Sequence, residues 1–472
     1  MKVTDLAARE RGAATTRPLP SVATLLTIGA LATAFVIVGV GATFRQLTIP
    51  RFRTVWAEDG QVYGQCPMTD PSPATCLVTP YDGWLQLVSR FLGAIAAALP
   101  PERFSYSVTL LAAAVAGIAA VLLARAIMDV TGSRVAAVAA AVALTLIHPA
   151  GLEVAGNITN LHWILLAASL TIVACGWLGH RIDAADGTLI LLTIATSPFG
   201  LMLVAFLIVD RLLRRRLRDA LLGGAVFLTV VQAAYGLISP RPPVPDLPVR
   251  ILDPIRWYWD SVVLHGPFGS RSIVPDMFVA LVLVAASVVL VARAIRDRAP
   301  AIAPDEPAGP GAYHARMVAG IPRHWLGPAA VAALVAAGAV LFWVTTYLNN
   351  HPAARYTYTT VALMVIAAFL ALALAARPNT RTADGTPASP GAGRTGRFAI
   401  AAMALLVAVG FAQDFRLQTS ASRGPDYPTA FRGAATACGQ AADNARVLLS
   451  PLPYGQVTTE WHLLIPCERI GD

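Results

Sequence analysis

Apolar residues gather in long runs near 22–44, 105–127, 134–149, 161–179, 188–209, 219–238, 276–293, 325–347, 357–376 and 398–412. Runs of this length with few internal charges predict helices that cross, or nearly cross, a bilayer, which takes about 20 residues. The run at 188–209 differs, because Ser197-Pro198-Phe199-Gly200 interrupts it. Proline removes a helical hydrogen bond and glycine adds backbone freedom, so two half-helices are expected. If this run spanned, Arg211, Arg214, Arg215, Arg216 and Arg218 would face outward and every later arginine cluster would invert. The positive-inside rule opposes that. The expectation is a re-entrant hairpin or sharply bent element that returns to the cytoplasm, with the N-terminus cytoplasmic and the C-terminus external.

The chain then divides into a polar cytoplasmic N-terminus (1–20), a transmembrane bundle (21–412) with a first external loop at 45–103, and a small external tail (413–472). Val40-Gly41-Ala42 loosely matches a signal-peptidase site. The apolar run before it exceeds the roughly 7–15 residues of a signal core, so an uncleaved first helix is expected. From Trp84 onward, apolar residues recur at helical spacing, which predicts an amphipathic helix on the membrane surface. Two cytoplasmic stretches, Ala299–Gly311 and Pro378–Gly396, have the Pro/Gly/Ala/Ser/Thr composition of flexible connectors. No internal repeat stands out.

Composition narrows the class. The chain is 56% hydrophobic and 13% charged, with a mean hydropathy of +0.61. Soluble domains carry roughly 25% charged residues, so an all-α polytopic membrane protein is indicated. The net charge of +9 does not point to nucleic acid, because no basic strip interleaves with aromatics and Lys2 is the single lysine among 36 basic residues. Of five cysteines, Cys175 lies inside an apolar run and reads as a buried thiol. Cys66 with Cys76 and Cys438 with Cys467 fall on external segments, where such pairs oxidise, and are expected as disulfides.

Candidate chemistry begins at Trp56-Ala57-Glu58-Asp59-Gly60. An adjacent pair of carboxylates beyond the first helix must lie at or outside the membrane face. Trp56 suits the headgroup level, and Gly60 allows a sharp turn. The expected outer face also collects Tyr81, Arg90, Glu153, Asn157, Asn160, His162, His351 and Arg355 at helix ends and loops. The ionisable ones among them are either functional or, like a snorkelling arginine at a helix end, anchors. No metal-ligand, Walker or dinucleotide motif occurs; His148 and His162 across a Pro/Gly bend are weak evidence for a metal. No cofactor is expected, with a divalent metal left open.

The pattern WAEDG…YDGWL…R, the uncleaved first helix, the surface helix, the broken cytoplasm-side element and the late Arg355-Tyr356 resemble the GT-C class of membrane glycosyltransferases. The resemblance covers most of the chain in layout, but only the first loop carries a specific motif. It implies a GT-C-like helical bundle, a polyprenyl-phosphate sugar donor, and a first-loop carboxylate, Asp59 or Glu58, as base. It further implies that an arginine, Arg355 or next Arg90, holds the lipid phosphate. Trp56, Tyr81, Glu153, Asn157, Asn160, His162 and His351 would face substrate. The acceptor would be an envelope glycan or lipid at the plasma membrane. The tail is shorter than the large external domain of many members. The competing reading is a non-catalytic transporter or flippase of a lipid-linked saccharide; such a protein usually shows related halves.

Overall fold

The structure is a computed structural model. It describes residues 21–44, 53, 55, 58–70, 72–147, 154–214, 219–239, 253–264, 273–296, 317–318, 321–349, 353–377, 391–414, 426–440, 445–449 and 463–470. Trp56, His148, Glu153, His351 and the connector Ala299–Gly311 lie outside the described residues.

The apolar runs become helices. In chain order these are α1 (Val22–Phe44), the short α2 (Gln65–Thr69) and α3 (Pro73–Val78), α4 (Leu87–Ala98), α5 (Phe104–Thr131), α6 (Arg134–Leu146) and α7 (Leu161–Trp177). Then come α8 (Ala184–Thr196), α9 (Leu201–Arg214), α10 (Ala220–Ile238), α11 (Asp253–Tyr258) and α12 (Ile273–Arg296). A two-residue ladder, β1 (Met317–Val318) with β2 (Ile321–Pro322), precedes α13 (Leu326–Asn349), α14 (Ala354–Ala375), α15 (Gly391–Asp414) and α16 (Tyr427–Cys438). A final antiparallel pair, β3 (Arg446–Leu449) with β4 (Leu463–Pro466), closes the tail. Among the described residues, six helices are long and apolar enough to cross a membrane. The chain is an all-α polytopic membrane protein.

Side-chain ties sort the helix ends into two groups. At one end, here the loop end, Ser89 Oγ donates to the Ile158 carbonyl (2.7 Å) and Arg469 to that of Ala97 (2.6 Å). Tyr427 Oη donates to the Pro101 carbonyl (2.7 Å), and Arg53 pairs with Asp426 (2.6 Å). The first loop and the tail therefore share one end of the bundle. At the base end, Arg134 reaches the Ala23 carbonyl (3.2 Å), Arg377 that of Thr131 (3.4 Å), and Arg293 that of Arg377 (3.2 Å).

The broken run folds as a hairpin. α8 starts and α9 finishes at the base end, and Pro198–Gly200 forms a single tight turn between them. Each half, at 13 or 14 residues, is about 20 Å long, short of the ~30 Å apolar slab. The base is clamped by charge. Arg125 meets Asp183 and Asp186 (2.7 Å each), and His180 bridges Asp129 (2.7 Å) and Asp186 (2.9 Å). Arg214 binds Asp210 (3.0 Å) and the carbonyls of Gly176 (2.8 Å) and His180 (2.6 Å).

The hairpin tip is held by neutral groups. Thr196 Oγ1 accepts from Val88 N (3.1 Å), while Gln232 accepts from Leu85 N and donates to the Ile194 carbonyl (3.0 Å each).

α7 stands at the centre, buried from Leu161 to Gly176. It is 17 residues long and α6 only 13, shorter than the apolar runs at 161–179 and 134–149. A helix enclosed by protein need not match the bilayer. In lipid, helices associate through close packing rather than apolar burial, which favours small contact residues. The buried faces of α5 (Ala112, Ala116, Ala120, Ala124) and α6 (Ala136, Ala140, Ala143) meet that need. α15 begins at Gly391, inside the stretch expected to be a connector.

The first loop corrects one expectation. The helix predicted from Trp84 begins at Leu87, because Tyr81 and Trp84 exchange both backbone bonds (2.9 and 3.0 Å) around Asp82-Gly83. Both turn residues have positive φ (50° and 83°), the requirement that makes Asp-Gly a favoured hairpin turn. One face of α4 packs on protein. Val88, Arg90, Leu92, Gly93, Ala96 and Ala97 are buried, with Phe91 left outward. The Cβ absent from Gly93 would come 2.5 Å from the Tyr63 carbonyl oxygen, so the loop packs directly on this helix.

Candidate functional site

Asp59 opens a π-helical turn (Asp59–Gly64) that runs into α2, and it is only 1% exposed. The carboxylate reaches across to the strip before α7. Oδ1 accepts from Thr159 N (2.9 Å) and Thr159 Oγ1 (2.5 Å), and Oδ2 from Ile158 N (3.3 Å). Among the described residues no cation pairs with it. Burial is the largest influence and raises the carboxyl; the Thr159 and Ile158 donors pull it down and neighbouring Glu58 pushes it up, leaving it at about 7. Glu58 is half-buried beside it.

The described part of the strip is closed by its own side chains. Asn157 Oδ1 accepts from Asn160 N (2.8 Å), a side-chain-closed turn leading into α7. His162 Nδ1 faces the Thr159 carbonyl (2.9 Å). A carbonyl only accepts, so Nδ1 carries the proton and Nε2 the lone pair when the ring is neutral. Arg355 is the late arginine expected at the loop end. It lies in the first turn of α14, with its guanidinium 5.0 Å from the centre of the adjacent Tyr356 ring. Trp163 stacks on Phe199 of the hairpin tip (5.3 Å) and meets Tyr356 edge-on (6.2 Å), so hairpin, α7 and α14 share one aromatic contact. Hydrogen bonds thus link Asp59, Thr159 and His162, and Arg355 lies at the same end, its neighbour Tyr356 against Trp163.

Two other expected site residues, Arg90 and Tyr81, are held within the packing of the first loop. Arg90 is 4% exposed, donates to the carbonyls of Val62 and Pro80 (3.3 Å each), and lies 5.6 Å over the Tyr63 ring. Those bonds make it a strut between loop and α4. Tyr81 is fixed by its bridge to Trp84 and contacts Tyr63 edge-on (6.3 Å). Tyr63 donates to Gln86, which adopts a left-handed backbone (φ 46°) just before α4. Both expected disulfides, Cys66–Cys76 and Cys438–Cys467, are formed, and Cys175 is a buried free thiol. The one metal-like grouping among the described residues, Cys66, Asp70 and Cys76, is spent on the first of these bonds.

Sequence reasoning missed Thr159, Gln86 and Gln232. Thr159 carried a signal, a hydroxyl within an Asn-Ile-Thr-Asn strip entering an apolar run.

Compared with known proteins, the chain matches no family model, no curated protein and no solved structure.

Proposed function

We propose that the protein is a glycosyltransferase that moves a sugar from a polyprenyl-phosphate donor to an envelope glycan or lipid at the loop end, with that end facing outward. The observation that carries this reading is the setting of Asp59, a carboxylate 1% exposed and held by neutral donors at the end of the bundle where Arg355 also lies; burial there raises its carboxyl to about 7. A general base works best when its pKa lies near the working pH. Attack on the anomeric carbon expels a phosphate, a good leaving group, so one base suffices. The acceptor hydroxyl gives its proton to Asp59, the oxygen bonds to carbon, and the phosphate leaves with its electron pair. A single displacement inverts the anomeric centre.

Arg355 is assigned to the donor phosphate. It sits in the first turn of α14, where the helix dipole also favours an anion. The fold supports chemistry at one face over a conduit. The hydroxyls midway along α7 close within the bundle, Ser169 on Thr193 (2.9 Å) and Thr171 on the Ala167 carbonyl (2.9 Å), while charges gather at the two ends.

The test is direct. Purified protein is supplied with a panel of polyprenyl-phosphate sugars, and release of polyprenyl phosphate is measured. Consumption of one donor with inversion supports the reading; movement of intact donor across a vesicle without cleavage establishes the transport alternative.

A further inference from the structure

The base end carries a feature that the transfer reading leaves unused. A cavity of 450 Å³ lies between the end of α5, the start of α6, the end of α14 and the start of α15, lined by Arg134, Arg377 and Arg397. Arg134 and Val135 also line a second cavity of 360 Å³, which lies along α6 between α1 and α15. That second space is walled by Ile37, Val138, Val142, Leu146, Ala404 and Val407. No acidic side chain lines either one among the described residues. Arg134 and Arg377 each reach a backbone carbonyl, of Ala23 and Thr131, which neutralises no charge.

We infer that these adjoining cavities bind one anionic phospholipid, its phosphate at the three arginines and an acyl chain in the groove. Charge complementarity fixes the headgroup, since guanidinium forks bind phosphate oxygens bidentately. Geometry fixes the tail. From Arg134 to Leu146 the groove runs about 18 Å along α6, comparable with the ~15 Å hydrocarbon depth of one leaflet. The walls are exposed at Val135 (53%) and Ile37 (37%), so a chain can enter from the side. The arginines come from three segments separated in sequence, which a bound lipid would tie together.

The experiment is native mass spectrometry of the delipidated full-length protein, titrated with phosphatidylglycerol or phosphatidylcholine of identical chains. One phosphatidylglycerol should be retained at least about tenfold more tightly than phosphatidylcholine, the scale of one charge-assisted contact. The variant Arg134→Gln/Arg377→Gln/Arg397→Gln should lose that preference, and Arg432→Gln/Arg446→Gln in the tail should keep it. If the triple variant fails to fold, Val138→Trp takes its place: filling the groove should weaken phosphatidylglycerol while the basic rim stays intact. Equal retention of the two lipids, or an equal loss in the tail control, would overturn the inference. So would displacement of the lipid by glycerol 1-phosphate at matched concentration, which would leave a headgroup site only.

Discussion

Asp59 and Asp210 are both buried, at opposite ends of the bundle, and their oxygens meet different partners. Asp210 is fully buried against Arg211 and Arg214, and Arg211 also reaches Asp219 (3.1 Å). A carboxylate clamped between guanidinium groups serves to fix helix ends. Among the described residues Asp59 meets a hydroxyl and two amides, so burial lifts it to about 7, where a proton moves on and off readily. Burial alone does not mark a functional carboxylate. The kind of partner does.

That contrast can be broken by exchange of consequences. Asp59→Asn should lower transfer by about 10²–10⁴-fold while helicity and both disulfides persist; the amide placed against the Ile158 N–H adds only about 1–3 kcal/mol of destabilisation. Asp210→Ala should do the reverse. Removing one partner of a buried ion pair costs roughly 3–5 kcal/mol, here toward the lower figure because Arg214 is 31% exposed. It should appear as a lower denaturation midpoint with unchanged transfer per folded molecule. Equal activity losses in the two variants would dissolve the distinction.

Arg355→Ala sharpens the loop-end half. Donor KM should rise roughly 10- to 150-fold, with Arg355→Lys restoring part of it because an ammonium cannot fork. The exposed Arg432 serves as control. A smaller effect is expected from the covalent ties. Closing loops of 10 and 29 residues contributes roughly 2–4 kcal/mol each in the loop-entropy picture. Replacing either cysteine pair with serine should lower the melting temperature of the loop end before that of the bundle, as followed by hydrogen exchange.

Much of this was legible in the sequence for physical reasons. Bilayer-length apolar runs leave little choice but helices. Ser197-Pro198-Phe199-Gly200 announced the hairpin, because proline and glycine act on the backbone where they stand. Glu58-Asp59 were visible because charge beside a membrane helix is conspicuous. What escaped depends on distance along the chain. Nothing near Asp59 says that Thr159, 100 residues on, will hold it. Arg90 looked surface-bound because a helical pattern does not reveal what covers its polar positions, and Val62, Tyr63 and Pro80 of the first loop enclose it. Asp82-Gly83 did carry a hairpin signal, which the helical spacing after Trp84 overrode.

Thr159 gives the finest adjustment. Thr159→Val removes a donor that favours the anion, so the Asp59 carboxyl should rise further and the acid limb of the rate profile should move to higher pH, with Thr159→Ser restoring it. The same titration bears on stability with a defined sign. The folded carboxyl sits above its usual 3.8, so the native state binds the extra proton and stability falls as pH rises from about 4 through 7. Asp59→Asn should flatten that slope.

The most direct test of the central claim is the pH dependence of kcat/KM for sugar transfer by the purified protein, with Asp59→Asn measured in parallel. The rate should climb about tenfold per pH unit below 7 and level above it, against a low, flat profile for the variant. A wild-type rate independent of pH between about 5 and 8, or full activity in Asp59→Asn, would contradict it.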